Sequence, residues 1–441
     1  MQKKLFQLSV PIFVESIMGT IIGSIDTIML SSYSDDAVAA VSIANQILFL
    51  IQVFACIVTT GTSILCAQYI GAKKTEEEQN DLITASILMN VGMGVVLTIL
   101  MSLFYPVILS FLNLSVTVRD YAGEYLQVIN WFLWIQLISA IFSAILRSYG
   151  KTKQSMYVSM GMNICNILLN YLLIFGKFGL PAMGIRGAAI ATVVGRFLAF
   201  LVLMWILFDM RGKQAEWKIC WGKIVPNMRR VITYGIPAAG EQISYNLAQF
   251  LVMFFVTMLG MKAVTAQSYI NTCVRFIYIF SVSLGQGTAI MVGWSFGAGE
   301  YEKADKECRF AGKCTFIFSM IMMAIMSIFR DRMFSLFTSD PEIAALAGTV
   351  FLANFLLETG RSQNLVYVAS LRAVGDVKFP LYIGIVSMWC VAVGGSYLFG
   401  IVLHMGLFGV WLAQGLDECL RAVGMGIRWK KKGYARMEAA K

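Results

Sequence analysis

The stretch LITASILMNVGMGVVLTILMSLFYPVILSFLNLSVTV, residues 82–118, contains no Asp, Glu, Lys or Arg. A hydrocarbon core of roughly 30 Å is crossed by about 20 apolar helical residues, so this run is long enough to span a membrane. Gln242–Met261 and Phe379–Leu416 are free of charge in the same way. The whole chain is 58% hydrophobic and 14% charged. A soluble domain is about half apolar and about a quarter charged, and one soluble core cannot hide this excess. A membrane β-barrel would show short alternating segments of about ten residues. The runs here are long, continuous and rich in Leu, Ile, Met and Gly. They describe an all-α polytopic membrane protein.

Twelve helical spans are expected near residues 9–33, 37–70, 82–104, 121–146, 156–176, 187–208, 234–258, 263–296, 310–329, 343–371, 380–402 and 408–427. Charged or glycine-rich joints separate them. The basic start MQKKLFQLSV is read as the head of a retained first helix, because Glu15 and Asp26 follow it without a clear cleavage site. If both ends lie inside, the inner joints carry 25 Lys and Arg and the outer joints 6. That bias places both termini in the cytoplasm and assigns the net charge of +10 to loops facing anionic lipid, with no nucleic-acid partner.

The two halves repeat. PIFVE (11–15) matches PAAGE (237–241), AVAAVSIAN (37–45) matches AVTAQSYIN (263–271), and GTSILCAQYIGA (61–72) matches GTAIMVGWSFGA (287–298). LRSYGKTK (146–153) matches LRAVGDVK (371–378), and Arg196 matches Arg421. Six spans thus occur twice in the same sense, a parallel repeat of the kind that rocks two lobes about a central cavity. The expected lobes are 1–208 and 231–427, joined by a cytoplasmic linker at 209–230 and followed by a basic tail at 428–441.

Polar residues inside spans need a reason, since a carboxylate at mid-bilayer costs about 2.5–3.5 kcal/mol even on lenient scales. Asp26 has no base within a helical turn. In NICNILLNYLLIFG (163–176), Asn166 and Asn170 are four apart and share a helix face. With Thr192 from the sixth span they could make an oxygen-rich site for a hard cation, or a proton site. Asparagine is also common glue between membrane helices. The equivalents of Asp26, Asn166, Asn170 and Thr192 in the second half are Val252, Val391, Gly395 and Asp417, so the cluster is not duplicated. Second-lobe candidates are Glu241, Glu358, Arg361 and Asp417. Glu358 with Arg361, and Asp417 and Glu418 with Arg421, are spaced for local ion pairs. Glu15 and Glu241 have no local partner and are expected to face a cavity. Pro11 either begins the first helix or lets it bend as a hinge.

Enzymatic chemistry finds little here. The nine cysteines contain no CxxC pair, and His404 is the single histidine, so a metal set or a Ser–His pair is not expected. No channel filter is evident.

At this point the chain resembles a multidrug and toxic compound extrusion (MATE) transporter of the bacterial NorM-like branch. The resemblance is carried by Pro11 with Asp26-Thr-Ile-Met, AVAAVSIANQ, TSILCAQYIGA, NILLNYLLIFG, GIRGAAIAT and the second-half LR…GD…K joint. It implies a twelve-helix, two-lobe antiporter in a bacterial inner membrane, exporting small organic cations against H⁺ or Na⁺, without a cofactor and as a monomer. The family's first-lobe cation site maps onto Asp26, Asn166, Asn170 and Thr192, with Na⁺ as the one metal ion this would admit. Many members carry an aspartate where this chain has Asn170. A rival on the same plan is a flippase-like exporter of a lipid-linked or anionic metabolite, kept open by arginines inside spans.

Overall fold

The computed structural model describes residues 2–211 and 220–431, all helix and short joints with no strand among them. The remainder of the linker (212–219) and nearly all of the basic tail (432–441) lie outside the described residues. The helices are α1 Gln2–Ser31, α2 Asp35–Gly71, α3 Glu76–Phe111, α4 Val116–Trp131, α5 Leu133–Ser148, α6 Thr152–Phe175 and α7 Gly184–Arg211. The second series is α8 Trp221–Met258, α9 Met261–Gly297, α10 Tyr301–Ile328, α11 Arg330–Ser335, α12 Pro341–Ala373, α13 Lys378–Ser387 and α14 Gly406–Lys430. π-helical turns continue α13 through Met388–Val393 and Ser396–Val402.

Among the described residues eight helices are long and apolar enough to cross a membrane, and two more passes are bent: α4–α5, turned by 56° at Phe132, and α12. With α8 and α14, which are equally long but carry charged groups, these make the twelve expected segments. Local chemistry sets several starts. Thr75 and Glu78 form a reciprocal capping box at α3. Asp340 caps α12 by accepting from the Glu342 N–H at 2.9 Å, with Pro341 as the first helical residue. Along α3, Val95, Ile99 and Leu103 form an exposed apolar stripe at a spacing of four, the face offered to lipid.

The chain divides into two compact units. One holds Val14–Ile70 and Lys74–Gly235; the other holds Met1–Phe13, Gly71–Lys73 and Ile236–Lys441. These bounds depart from the expected lobes at the two leading helices. In the first unit the opening part of α8 packs on α2, so closely that a Cβ at Gly235 would sit 1.9 Å from the Ile57 carbonyl oxygen. In the second unit Leu5 and Leu8 of α1 are buried in a core built from α9, α10, α12 and α14. Residues 221–230, expected as linker, are therefore the first turns of α8. Pro11 lies inside α1 and does not begin it, because this packing extends the helix back to Gln2.

Candidate cation site in the first repeat

Asp26 sits on α1 among hydroxyls that are already occupied: Thr20, Ser24 and Thr27 each donate to the carbonyl four residues earlier, at 3.1, 3.2 and 2.9 Å. They are not available to the carboxylate. α6 is brought close to α7 at Gly187, where a Cβ would lie 2.7 Å from the Leu173 carbonyl oxygen. This approach lets α6 present buried Asn166 and Asn170 to α1 and to Thr192 of α7. The Asn170 side-chain N–H donates to Asp26 Oδ1 at 2.9 Å. Its own Oδ1 is buried and has no hydrogen-bond partner among the described residues.

The two amide atoms of Asn166 occupy distinct places. One lies 3.2 and 3.3 Å from the two Asp26 oxygens, and the other lies 3.3 Å from both the Thr192 hydroxyl and its backbone N–H. An ionised Asp26 favours the NH₂ in the first place, with the amide oxygen accepting from Thr192. A protonated or cation-bearing Asp26 favours the oxygen there. The arrangement brings together the four residues expected from sequence and offers a carboxylate and neutral oxygens to a small cation or a proton.

One turn beyond Thr192 on α7, Arg196 donates to Gln136 Oε1 at 2.7 Å, and Gln136 donates to Gln52 Oε1 at 3.0 Å. Tyr125 of α4 is buried in the same repeat.

The second-repeat acids are placed differently. Glu358, fully buried, pairs with Arg361 at 2.9 Å. Arg421 pairs with Asp417 at 2.7 Å and Glu418 at 3.0 Å. Ser387 donates to Asp417 at 2.6 Å and Asn364 donates to Glu418 at 2.8 Å. The expected local pairs thus merge into one network, joined where Arg361 lies 3.6 Å from Glu418. Glu241 and Glu15 are not free cavity acids. Glu241 pairs with Arg372 at 2.6 Å, and Glu15 with Arg147 at 2.8 Å. Their partners come from another helix of the same repeat, which is why no local base marked them.

The MatE family model matches residues 11–172 and again 237–398, two copies that start 226 residues apart. The chain belongs to the MatE family. It is a multi-pass membrane transporter, not an enzyme. An uncharacterized transporter, YisQ of Bacillus subtilis, is 36% identical over 97% of this chain and 94% of its own length. A probable multidrug resistance protein NorM of Thermotoga maritima is 28% identical over 100% and 96%. In fold, the chain resembles a MATE crystal structure in the bent conformation, with TM-score 0.89, 20% identity and coverage of 100% and 96%. It also resembles a MOP superfamily transporter from Pyrococcus furiosus, with TM-score 0.86, 19% identity and coverage of 99% and 96%.

Within this MATE chain, sequence reasoning missed Gln52 and Gln136. Each is an amide in an otherwise apolar span, the same kind of signal that marked Asn166 and Asn170.

Proposed function

We propose that the chain is a secondary antiporter that exports small organic cations in exchange for H⁺ or Na⁺, with Asp26 as the shared coupling carboxylate. One observation carries this reading: Asp26 accepts from the Asn170 amide and lies 3.2–3.3 Å from an amide atom of Asn166, while Glu15, Glu241, Glu358 and Asp417 are held by arginines. An incoming cation meets no fixed positive charge at Asp26 itself.

Ion and drug then compete for one negative charge. In the outward-facing state H⁺ or Na⁺ neutralises Asp26, the Asn166 amide reverses, and the organic cation leaves. The neutralised α1 bends near Pro11, the lobes rock, and on the cytoplasmic side the ion departs and a new cation binds. Each ligand biases the same two-state element, so no second wire is needed. One H⁺ per monovalent drug is electroneutral and draws about 1.4 kcal/mol per unit of pH gradient. A second ion adds about 2.3 kcal/mol per 100 mV. The process needs no cofactor, and both termini face the cytoplasm of a bacterial plasma membrane.

The experiment is uptake of a cationic dye into everted vesicles under a pH gradient alone, then a sodium gradient alone. One gradient is expected to drive wild-type uptake and Asp26→Asn is expected to abolish it. Wild-type rates in Asp26→Asn would sink the mechanism. A second reading, export of an anionic metabolite, is favoured by Arg196 alone.

A further inference from the structure

We propose that Arg196 and Gln136 form a carboxylate-recognition subsite beside the Asp26 cluster, which makes the preferred substrate a zwitterion bearing both a cationic group and a carboxylate. The proposal rests on the cation reading above and extends it.

Four arginines lie within spans: Arg196, Arg275, Arg361 and Arg421. Arg361 and Arg421 are neutralised by acids at 2.7–3.0 Å, and Arg275 is exposed. Arg196 is half-buried, and its side-chain partner is a neutral amide, Gln136 Oε1 at 2.7 Å. Gln136 is itself fixed by donating to Gln52 at 3.0 Å. A guanidinium offers five N–H donors in a planar fork that matches a carboxylate bidentately, and one glutamine oxygen uses little of it. A neutral partner also leaves the charge uncompensated in a low-dielectric place.

The repeat provides the comparison. Arg421 occupies the equivalent position and has Asp417 and Glu418 one turn before it; the equivalents in the first repeat are Thr192 and Val193. The same arginine is therefore quenched in one half and left open in the other. It is also close to the coupling site. Thr192 and Arg196 are one α7 turn apart, about 6 Å along the axis. Thr192 lies 3.3 Å from one amide atom of Asn166, and the other amide atom of Asn166 faces Asp26. In the proposed subsite a zwitterion places its ammonium or iminium group at Asp26 and its carboxylate at Arg196.

The test uses the full-length protein in nanodiscs and two probes: a xanthylium dye with a free benzoate, and the methyl ester of that dye. Wild type is expected to bind the acid more tightly than the ester. Arg196→Gln should lower the acid-to-ester affinity ratio about tenfold, and Arg196→Lys should keep most of it. Gln136→Glu, nearly isosteric, sets an internal carboxylate against Arg196 and should lower the ratio as far as Arg196→Gln does. It also serves if Arg196→Gln does not fold. A ratio unchanged in Arg196→Gln and Gln136→Glu overturns the subsite, as does a wild type without acid preference. Ester binding that survives Asp26→Asn overturns instead the cation reading beneath it.

Discussion

Replacing Asn170 by Leu separates the two coupling ions. In the structure this amide donates its N–H to Asp26 Oδ1 at 2.9 Å, and its buried Oδ1 has no partner among the described residues. Leucine keeps the approximate volume and removes both. A hydrogen bond to a charged group contributes about 1.5–3 kcal/mol, and about 1.4 kcal/mol is a factor of ten in affinity. For a proton-coupled carrier, losing a donor to the ionised carboxylate favours the protonated form. The half-saturating proton concentration should fall about tenfold to a hundredfold, and turnover should slow as inward release becomes limiting. For a sodium-coupled carrier, losing an oxygen ligand acts the other way, and half-saturating sodium should rise by a similar factor. The assay is the initial rate of dye uptake into everted vesicles, titrated with each ion in turn. A folded Asn170→Leu protein with unchanged half-saturation for both ions would refute the assignment of Asn170 to the site.

Gly235→Ala drives a Cβ to 1.9 Å from the Ile57 carbonyl oxygen and should lower stability by about 1–3 kcal/mol, read as melting temperature in detergent. Gly92→Ala, with open space around it, is the matched control and should be near neutral. Glu241→Gln leaves Arg372 half-buried without its 2.6 Å partner and should cost about 2 kcal/mol, with the double change Glu241→Gln/Arg372→Gln recovering part of the loss. Thr75→Ala removes one arm of the α3 capping box and should cost about 1 kcal/mol in the same assay.

Where the fold was legible, the reason is simple: crossing hydrocarbon demands long runs of one chemistry, and the joints between them are charged. The departures mark places where packing overrides local signals. Nothing around Phe132 reads as a break, since INWFLWIQ contains neither Pro nor Gly, yet the fourth pass bends there by 56°. The charged residues 221–230 read as linker but continue α8, held by its close packing on α2. In the candidate site, Asp26, Asn166 and Asn170 stood out because a polar residue in hydrocarbon needs a partner. The arginine partners of Glu15 and Glu241, 132 and 131 residues away, were invisible to a search within one turn. A signal did exist. Arg147 and Arg372 sit at equivalent places in the repeated LR motif, just as Glu15 and Glu241 do in the repeated leading helix.

The second-repeat network tests whether charge balance or pairwise contact governs this membrane core. Three carboxylates, Glu358, Asp417 and Glu418, face two guanidiniums, Arg361 and Arg421. With all five groups ionised one negative charge is left over, and Glu358 Oε2 has no hydrogen-bond partner among the described residues. Glu358→Gln removes the surplus and leaves two acids with two bases. Arg361→Gln removes a base and leaves three acids with one. If the 2.9 Å Glu358–Arg361 contact were simply an isolated pair, the two changes would cost alike. Balance within the network makes them unequal: Glu358→Gln should alter stability by less than about 1 kcal/mol, while Arg361→Gln should cost about 3–5 kcal/mol, the range for stranding a buried charge. Melting curves of the two variants in one detergent decide the matter, and equal losses would show that the surplus carboxylate carries no special weight.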